Sequence, residues 1–242
     1  MTMSKLETTS DVEFLKTYNI HDYDVPLTTV DMAIFSIVEQ RLHVLVVTRE
    51  ESPQLGRWAL PGGFIDLKKD VSLDAAAHRK LFEKTAIASP YLEQVQTVGD
   101  ATRDPRGWSV TALYFALIDH ATPLAMNAQW LPVDEASNLD WAFDHQMLLR
   151  LAVERLRSKT LYTALPIGLM PELFTLTELQ QVFEVILGHG LEKKSFRRRV
   201  LDAGVVLPTE FSKKSGKRSA QLYRAAALSL DFVFPRALDV LL

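Results

Sequence analysis

A reversal of charge partway along the chain constrains the fold more than any other feature of the sequence. Residues 191–224 hold ten Lys or Arg against three acids, a net charge of +7. The whole 242-residue chain carries −3, so the remainder carries −10. A basic block attached to an acidic body signals two domains and points to a polyanionic partner for the basic one. The length suits one large domain or two small ones. With 48% hydrophobic and 24% charged residues, the composition excludes collagen-like, low-complexity and disordered classes. Cysteine is absent, which excludes disulfides, zinc–thiolate sites and cysteine nucleophiles and fits a reducing, cytoplasmic setting. No run approaches the roughly 18–20 apolar residues of a membrane helix, and the polar start with Glu7 is unlike a secretory signal. No membrane partner is expected.

Residues 1–24 mix polar side chains with Phe14, Tyr18 and Tyr23 and are read as a short helix or arm. The β-rich run 28–38 predicts a strand, and Glu39-Gln40-Arg41 turns it into a second one at 42–49. A helix over 72–86 follows from Leu73, Ala76, Ala77 and Leu81 at helical spacing, with Ser72 or Asp70 as N-cap. Strands are predicted over 93–99 and 108–118, with a short edge strand at Trp130-Leu131-Pro132. An amphipathic helix over 144–160 comes next, and Pro and Gly punctuate 162–171, where the domain boundary is placed. Thr175 and Glu178 have capping-box spacing and open a helix that Gly188 and Gly190 end. A second helix spans 192–203 and stops at Gly204. Short strands at 205–207 and 220–223 flank a basic loop at 212–219. Two helices and then a hairpin with a basic tip are the order of a winged helix. The expected organisation is an arm (1–24), a first domain (25–162), a linker (163–171) and a second, basic domain (172–242).

Leu60-Pro61-Gly62-Gly63-Phe64, Ala75-Ala76 and the run from Arg79 to Ile87 together resemble the Nudix box. The resemblance implies a Nudix-like α/β/α sandwich with a mixed sheet, so that the chain as a whole is α+β. In that family glutamates at i, i+3 and i+4 of the helix share one face and hold divalent metals against a substrate diphosphate. Here those positions read Lys80, Glu83 and Lys84. One carboxylate beside two ammonium groups does not assemble a metal cluster. The departures continue elsewhere. The box's first glutamate falls at Lys69 counting from Gly63, and two extra residues separate Gly63 from Arg79. The glycine after the helix is Ala86, a residue disfavoured at positive φ. No catalytic or metal-binding residue is therefore assigned, and metal-dependent hydrolysis is expected to be lost. Arg79 is expected to hold the loop and Glu83 to pair with Lys80 or Lys84. The other reading has Lys80 and Lys84 meeting a ligand diphosphate in the metal's place.

The segment from Gly99 to Trp108 resembles the loop before a central strand in ADP-ribose-type Nudix proteins. Arg103 and Arg106 are candidates for bidentate contacts to diphosphate or ribose oxygens. Tyr23, Phe64 and Trp108 are candidates for stacking on adenine. Arg49 and Arg57 flank the same mouth as further phosphate ligands. Structural alternatives are an Arg103–Asp104 loop salt bridge and Trp108 as a cap on a sheet edge. None of the six histidines has metal-ligand spacing, and His145, at a helix start, is read as an N-terminal polar residue or an interdomain contact.

In the basic domain, Phe174-Thr175-Leu176-Thr177-Glu178-Leu179, Lys194-Ser195-Phe196-Arg197-Arg198 and Ala220-Gln221-Leu222-Tyr223-Arg224 resemble the winged helix of the Nudix-related transcriptional regulators of NAD metabolism. Phe196, Val200 and Leu201 give its second helix an inward face. Lys193, Lys194, Ser195, Arg197 and Arg198 are then candidates for the major groove and phosphates, with Arg199 at a flank. Lys213, Lys214, Lys217 and Arg218 suit a wing on the backbone or minor groove. The resemblance implies a homodimeric repressor on a palindromic operator, with ADP-ribose or a related nucleotide as effector, no cofactor, and ligand weakening the grip on DNA. The rivals are an active ADP-ribose pyrophosphatase, using Glu83 with Asp66, Asp70 or Glu135, and a nucleotide-binding scaffold whose basic domain meets protein or RNA.

Overall fold

The computed structural model describes residues 4–86, 91–119, 127–215 and 218–238. A helix, α1 (Ser4–Thr17), forms the arm. Phe14 near its end meets Tyr18 at a tilt, Tyr18 stacks on Tyr23, and all three stay exposed. A seven-stranded sheet follows, in the order β3-β2-β1-β6-β5, with β4 added to β1 and β7 to β2. Its strands are β1 (Leu27–Val38), β2 (Arg41–Thr48), β3 (Trp58–Ala59), β4 (Gly62–Phe64), β5 (Tyr91–Asp100), β6 (Ser109–Leu117) and β7 (Ala128–Pro132). β1 runs parallel to β6 from Leu27↔Ser109 to Phe35↔Leu117, while the other pairings are antiparallel, so the sheet is mixed.

Both faces of β1 are buried, and the two-residue alternation of a strand explains why. Val30, Met32 and Ile34 pack with Ala76, Ala77 and Leu81 of α2 (Leu73–Thr85). Ala33 and Phe35 pack on the other side with Leu148, Leu149 and Ala152 of α4 (His145–Tyr162). A short α3 (Val133–Ala136) precedes α4. The result is the expected α/β/α sandwich. Ser72 caps α2 by accepting from the Ala75 N–H. Ala86 ends that helix at φ 58° despite its Cβ, donating its N–H to Phe82 O.

Residues 163–171 are not a solvated tether. Leu165–Leu169 form a 3-10 turn whose Leu165, Pro166, Ile167 and Leu169 are buried. The core on the α4 side of the sheet runs on through this turn to Phe174, Leu179, Phe183 and Phe196. There α5 (Leu176–Leu187) and α6 (Lys193–Asp202) precede the hairpin β8 (Val206–Ser215) and β9 (Arg218–Ala225). This hairpin is longer than the sequence suggests. Lys213 and Lys214, expected in a loop, lie in β8 opposite Ala220 and Ser219. Polarity hides such a strand, because the ladder pairs backbone groups and leaves the charged side chains in water. β3 and β4 escape sequence reading because two or three residues cannot show a period.

Candidate functional site

A cleft of about 310 Å³ opens between β1, β2, β4, the 101–107 loop and the start of α4. Its floor depends on glycine. A Cβ on Gly62 would lie 2.2 Å from Asp31 Oδ1 and 2.5 Å from Val30 O, so only glycine lets β4 approach β1 this closely. The loop before β4 is fixed from below by His145, whose buried Nδ1 accepts the Leu60 N–H at 2.9 Å. That bond leaves the imidazole proton on Nε2. Burial, above all, pushes the pKa of His145 down and keeps the ring neutral.

Arg103, Arg106, Arg49 and Phe64 line the cleft, as the sequence suggests. Their partners differ from expectation. Arg103 does not pair with Asp104; its nearly buried guanidinium forks onto Asp144 at 2.9 and 3.0 Å and lies 3.9 Å from Asp31. Asp144 immediately precedes α4 and makes no capping bond with its side chain, so its carboxylate is committed to Arg103. Arg106 takes Asp104 instead, at 2.7 Å, and lies over the ring of Phe64 with 5.0 Å to its centroid. Arg49 donates to the carbonyls of Pro53 and Glu51 and stacks over Phe143 at 4.7 Å.

Three expected ligand residues stand elsewhere. Arg57 is outside the lining and faces Asp140 at 3.3 Å. Trp108 is half exposed, and its ring packs against Gly99 at the edge strand β5, which is the sheet-edge role. Tyr23 stays on the arm, stacked on Tyr18. Sequence reasoning passed over Asp31, Phe143 and Asn127, which also line the cleft. Phe143 is held at φ 52°, an outlier for a bulky residue, with its N–H on Gln54 Oε1. No pattern in the sequence announces that backbone; only its place beside Asp144 and His145 at a helix start hints at it.

The box helix uses its charges locally. Arg79 grips Asp70 with two bonds of 2.7 and 2.6 Å and Glu83 with a third of 2.9 Å. Lys80 takes the other Glu83 oxygen at 3.1 Å. So Asp70, one residue after the position found by counting, anchors the loop. Its pKa is held down to about 2, chiefly by the Arg79 bonds. Burial opposes ionisation of Glu83, yet Arg79 and Lys80 keep its pKa below the ordinary value. Asp66 is occupied by the Lys68 N–H and by Lys69, and Glu135 by Arg41 on the far side of β2. The Nudix fold implies a divalent metal here, and the donor set does not fit one. Ammonium groups cannot coordinate a cation, and the remaining carboxylate is already in two ion pairs.

The basic domain is built around α6. Glu192 caps it by accepting from Lys194 and Ser195 N–H, and Phe196 packs edge-on against Phe183 of α5 with centroids 5.1 Å apart. The turn between the helices is tied by Glu184, which accepts from Leu191 N–H at 2.8 Å. Lys193, Lys194, Ser195 and Arg198 are exposed on one side. Arg197 leans back to Thr177 Oγ1 at 3.0 Å, and Lys213 of the wing meets Glu178 at 2.6 Å. Lys214 is exposed, Arg218 opens β9, and Lys217 lies outside the described residues. Arg199 is no flank contact. Its guanidinium donates to the carbonyls of Leu161, Arg236 and Ala237 and sits 4.0 Å from the Phe234 ring centroid.

An α/β/α sandwich with an open cleft, joined through a buried turn to a winged helix, is the architecture of a two-domain DNA-binding protein with a ligand-sized cleft. Comparison with known families agrees. Residues 27–151 match the NUDIX domain and residues 166–225 the NrtR DNA-binding winged helix domain. The chain is 56% identical, over 95% of its length and 94% of the relative's, to the ADPR responsive transcriptional repressor NtrR of Acinetobacter baylyi. The structure of Shewanella oneidensis NrtR complexed with a 27mer DNA aligns with a TM-score of 0.81 at 41% identity, covering 88% of this chain and 99% of that one. The NUDIX domain of the same Shewanella protein complexed with ADP ribose aligns at 0.57 and 42%, covering 60% and 98%. The chain belongs to the NrtR family.

Proposed function

We propose that this chain is a cytoplasmic transcriptional repressor of NAD-metabolism genes that releases its operator when ADP-ribose enters the cleft. The observation that carries the reading is the end-to-end likeness to an ADP-ribose-responsive repressor, with a cleft and a winged helix both intact. Arg103, Arg106 and Arg49 supply the diphosphate contacts, and Phe64 and Phe143 flank them with aromatic faces. Lys193, Lys194, Ser195 and Arg198 face the DNA, with the wing's lysines on the backbone. Two copies bind a palindromic site, because a two-fold dimer matches two-fold DNA. With Lys80 and Lys84 at the glutamate positions, the cleft binds the nucleotide without hydrolysing it.

The transmitter is α4. Its N-terminal end meets the cleft through Asp144–Arg103 and His145–Leu60. Its body packs on α5, where Arg157 donates to Ile186 O at 3.1 Å. Its C-terminal end meets the DNA helix through Arg199 and Leu161 O. A diphosphate that draws Arg103 from Asp144 therefore biases the placement of α6. A coupling of about 1–3 kcal/mol changes operator affinity roughly 5- to 150-fold. Hydrogen exchange on adding ADP-ribose tests the route. Altered protection in residues 144–171 and 191–224 is expected, and a change confined to the cleft contradicts it.

A further inference from the structure

Four cations line the cleft: Arg49, Lys84, Arg103 and Arg106. Two are already matched with carboxylates, Arg103 with Asp144 and Arg106 with Asp104. The other two are not. Arg49 is spent on backbone carbonyls. Lys84 has no ion-pair or hydrogen-bond partner among the described residues, although it is only half exposed. Burial first, and then the neighbouring Arg106, lower the pKa of Arg49, and the more distant carboxylates of Asp104, Glu51 and Asp31 offset this only in part. Asp31, Glu50 and Glu51 line the cleft as well, but among the described residues neither Arg49 nor Lys84 has a carboxylate within ion-pair distance, and a bridging diphosphate offers both of them acceptor oxygens.

The reason Lys84 stays free is local. On α2 the preceding turn holds Arg79 and Lys80, and both converge on Glu83. Lys80 also lies along Gly63, with Nζ 3.3 Å from the place a Cβ would occupy. The helix thus ties Lys80 and Glu83 to each other and leaves Lys84 for the cleft.

We infer that Lys84 completes, with Arg49 and the two paired arginines, the anion site for the effector's diphosphate and takes over the charge neutralisation a divalent metal would supply, so that effector binding needs no metal. This rests on the reading of the cleft as a nucleotide-diphosphate sensor. A lysine is a compact point charge that can follow phosphate oxygens without fixed geometry. Its presence also removes the means of polarising the phosphate through a metal, which leaves recognition without cleavage.

The test is calorimetric titration of ADP-ribose into the full-length protein, once in EDTA and once in millimolar Mg²⁺. Equal affinities within about twofold are expected. Lys84→Gln is expected to weaken binding about tenfold or more in both buffers, the scale of a single charge-assisted hydrogen bond. Lys84→Glu is expected to abolish binding in EDTA and to recover part of it in Mg²⁺. Lys69→Ala, an exposed lysine paired with Asp66 outside the cleft, is the control and should bind as the parent does. Loss of wild-type binding in EDTA overturns the inference, as does an unchanged affinity in Lys84→Gln. If ADP-ribose fails to bind in either buffer, the effector reading falls, and inorganic pyrophosphate then probes the anion site itself. Pyrophosphate bound in EDTA by the parent and lost in Lys84→Gln upholds the site; no binding overturns it.

Discussion

Replacing Asp144 by alanine strands the most enclosed cation in the cleft. The Arg103 side chain is 6% exposed and spends two hydrogen bonds on that carboxylate. Breaking a buried pair by removing one partner costs about 3–5 kcal/mol. Here Asp31 remains at 3.9 Å and Ser109 Oγ at 3.4 Å, which brings the figure to about 2–3 kcal/mol. Loss of a negative charge at the start of α4 adds about 0.3–1 kcal/mol from the helix dipole. No capping bond is lost, because the Asp144 side chain makes none. The total, about 3 kcal/mol, lowers Tm by about 6–12 °C for a chain of this size. Asp144→Asn keeps one acceptor oxygen and should lose about half as much. Thermal melts with and without ADP-ribose decide the matter. If the diphosphate reaches Arg103, the nucleotide replaces the missing anion and raises the variant's Tm by more than it raises the parent's. A melt within about 1 °C of the parent, or equal ligand shifts in both proteins, refutes the pairing as an energetic element or Arg103 as a ligand contact.

Other perturbations separate the parts of the molecule. Ala86→Gly relieves a left-handed alanine at the end of α2 and should add about 0.5–1 kcal/mol in denaturant unfolding. Arg198→Ala should weaken operator binding about tenfold and leave ADP-ribose affinity unchanged, read by anisotropy and calorimetry. Arg199→Ala removes the bonds from α6 to Leu161 O of α4 and to the carbonyls of Arg236 and Ala237, so it should reduce operator affinity and also blunt the response to ADP-ribose, which Arg198→Ala should not do. Asp70 has a depressed folded pKa of about 2 against an ordinary 3.8, so its ion pair stabilises fully above pH 4. That contribution disappears as pH falls through 2, and acid titration of Asp70→Asn should lack this component between those values.

The two-domain order was legible because charge, periodicity and capping all pointed one way. Thr175 and Glu178 announce α5, and both bonds of the capping box are present. The β-rich run at 28–38 announces the strand β1. Side-chain partners were less legible, since they depend on tertiary approach. Arg103 and Asp104 are adjacent, yet Arg103 reaches across 41 positions to Asp144. Phe143 enters the cleft through a backbone conformation that its residue type disfavours. Arg199 belongs to a basic run and reads as a DNA contact, but the returning tail gives it carbonyls to bind. Trp108 and Arg57 show the converse, plausible types that the fold turns away from the cleft.

Regulation by this chain stands on one linkage, nucleotide in the cleft against DNA on α6. A labelled duplex selected by the full-length protein from random sequence, followed by anisotropy while ADP-ribose is added, measures it directly. The complex is predicted to dissociate in EDTA as readily as in Mg²⁺, with the nucleotide recovered intact. A firmly bound complex that ignores ADP-ribose contradicts that linkage, and AMP and ribose phosphate in the recovered nucleotide contradict binding without hydrolysis.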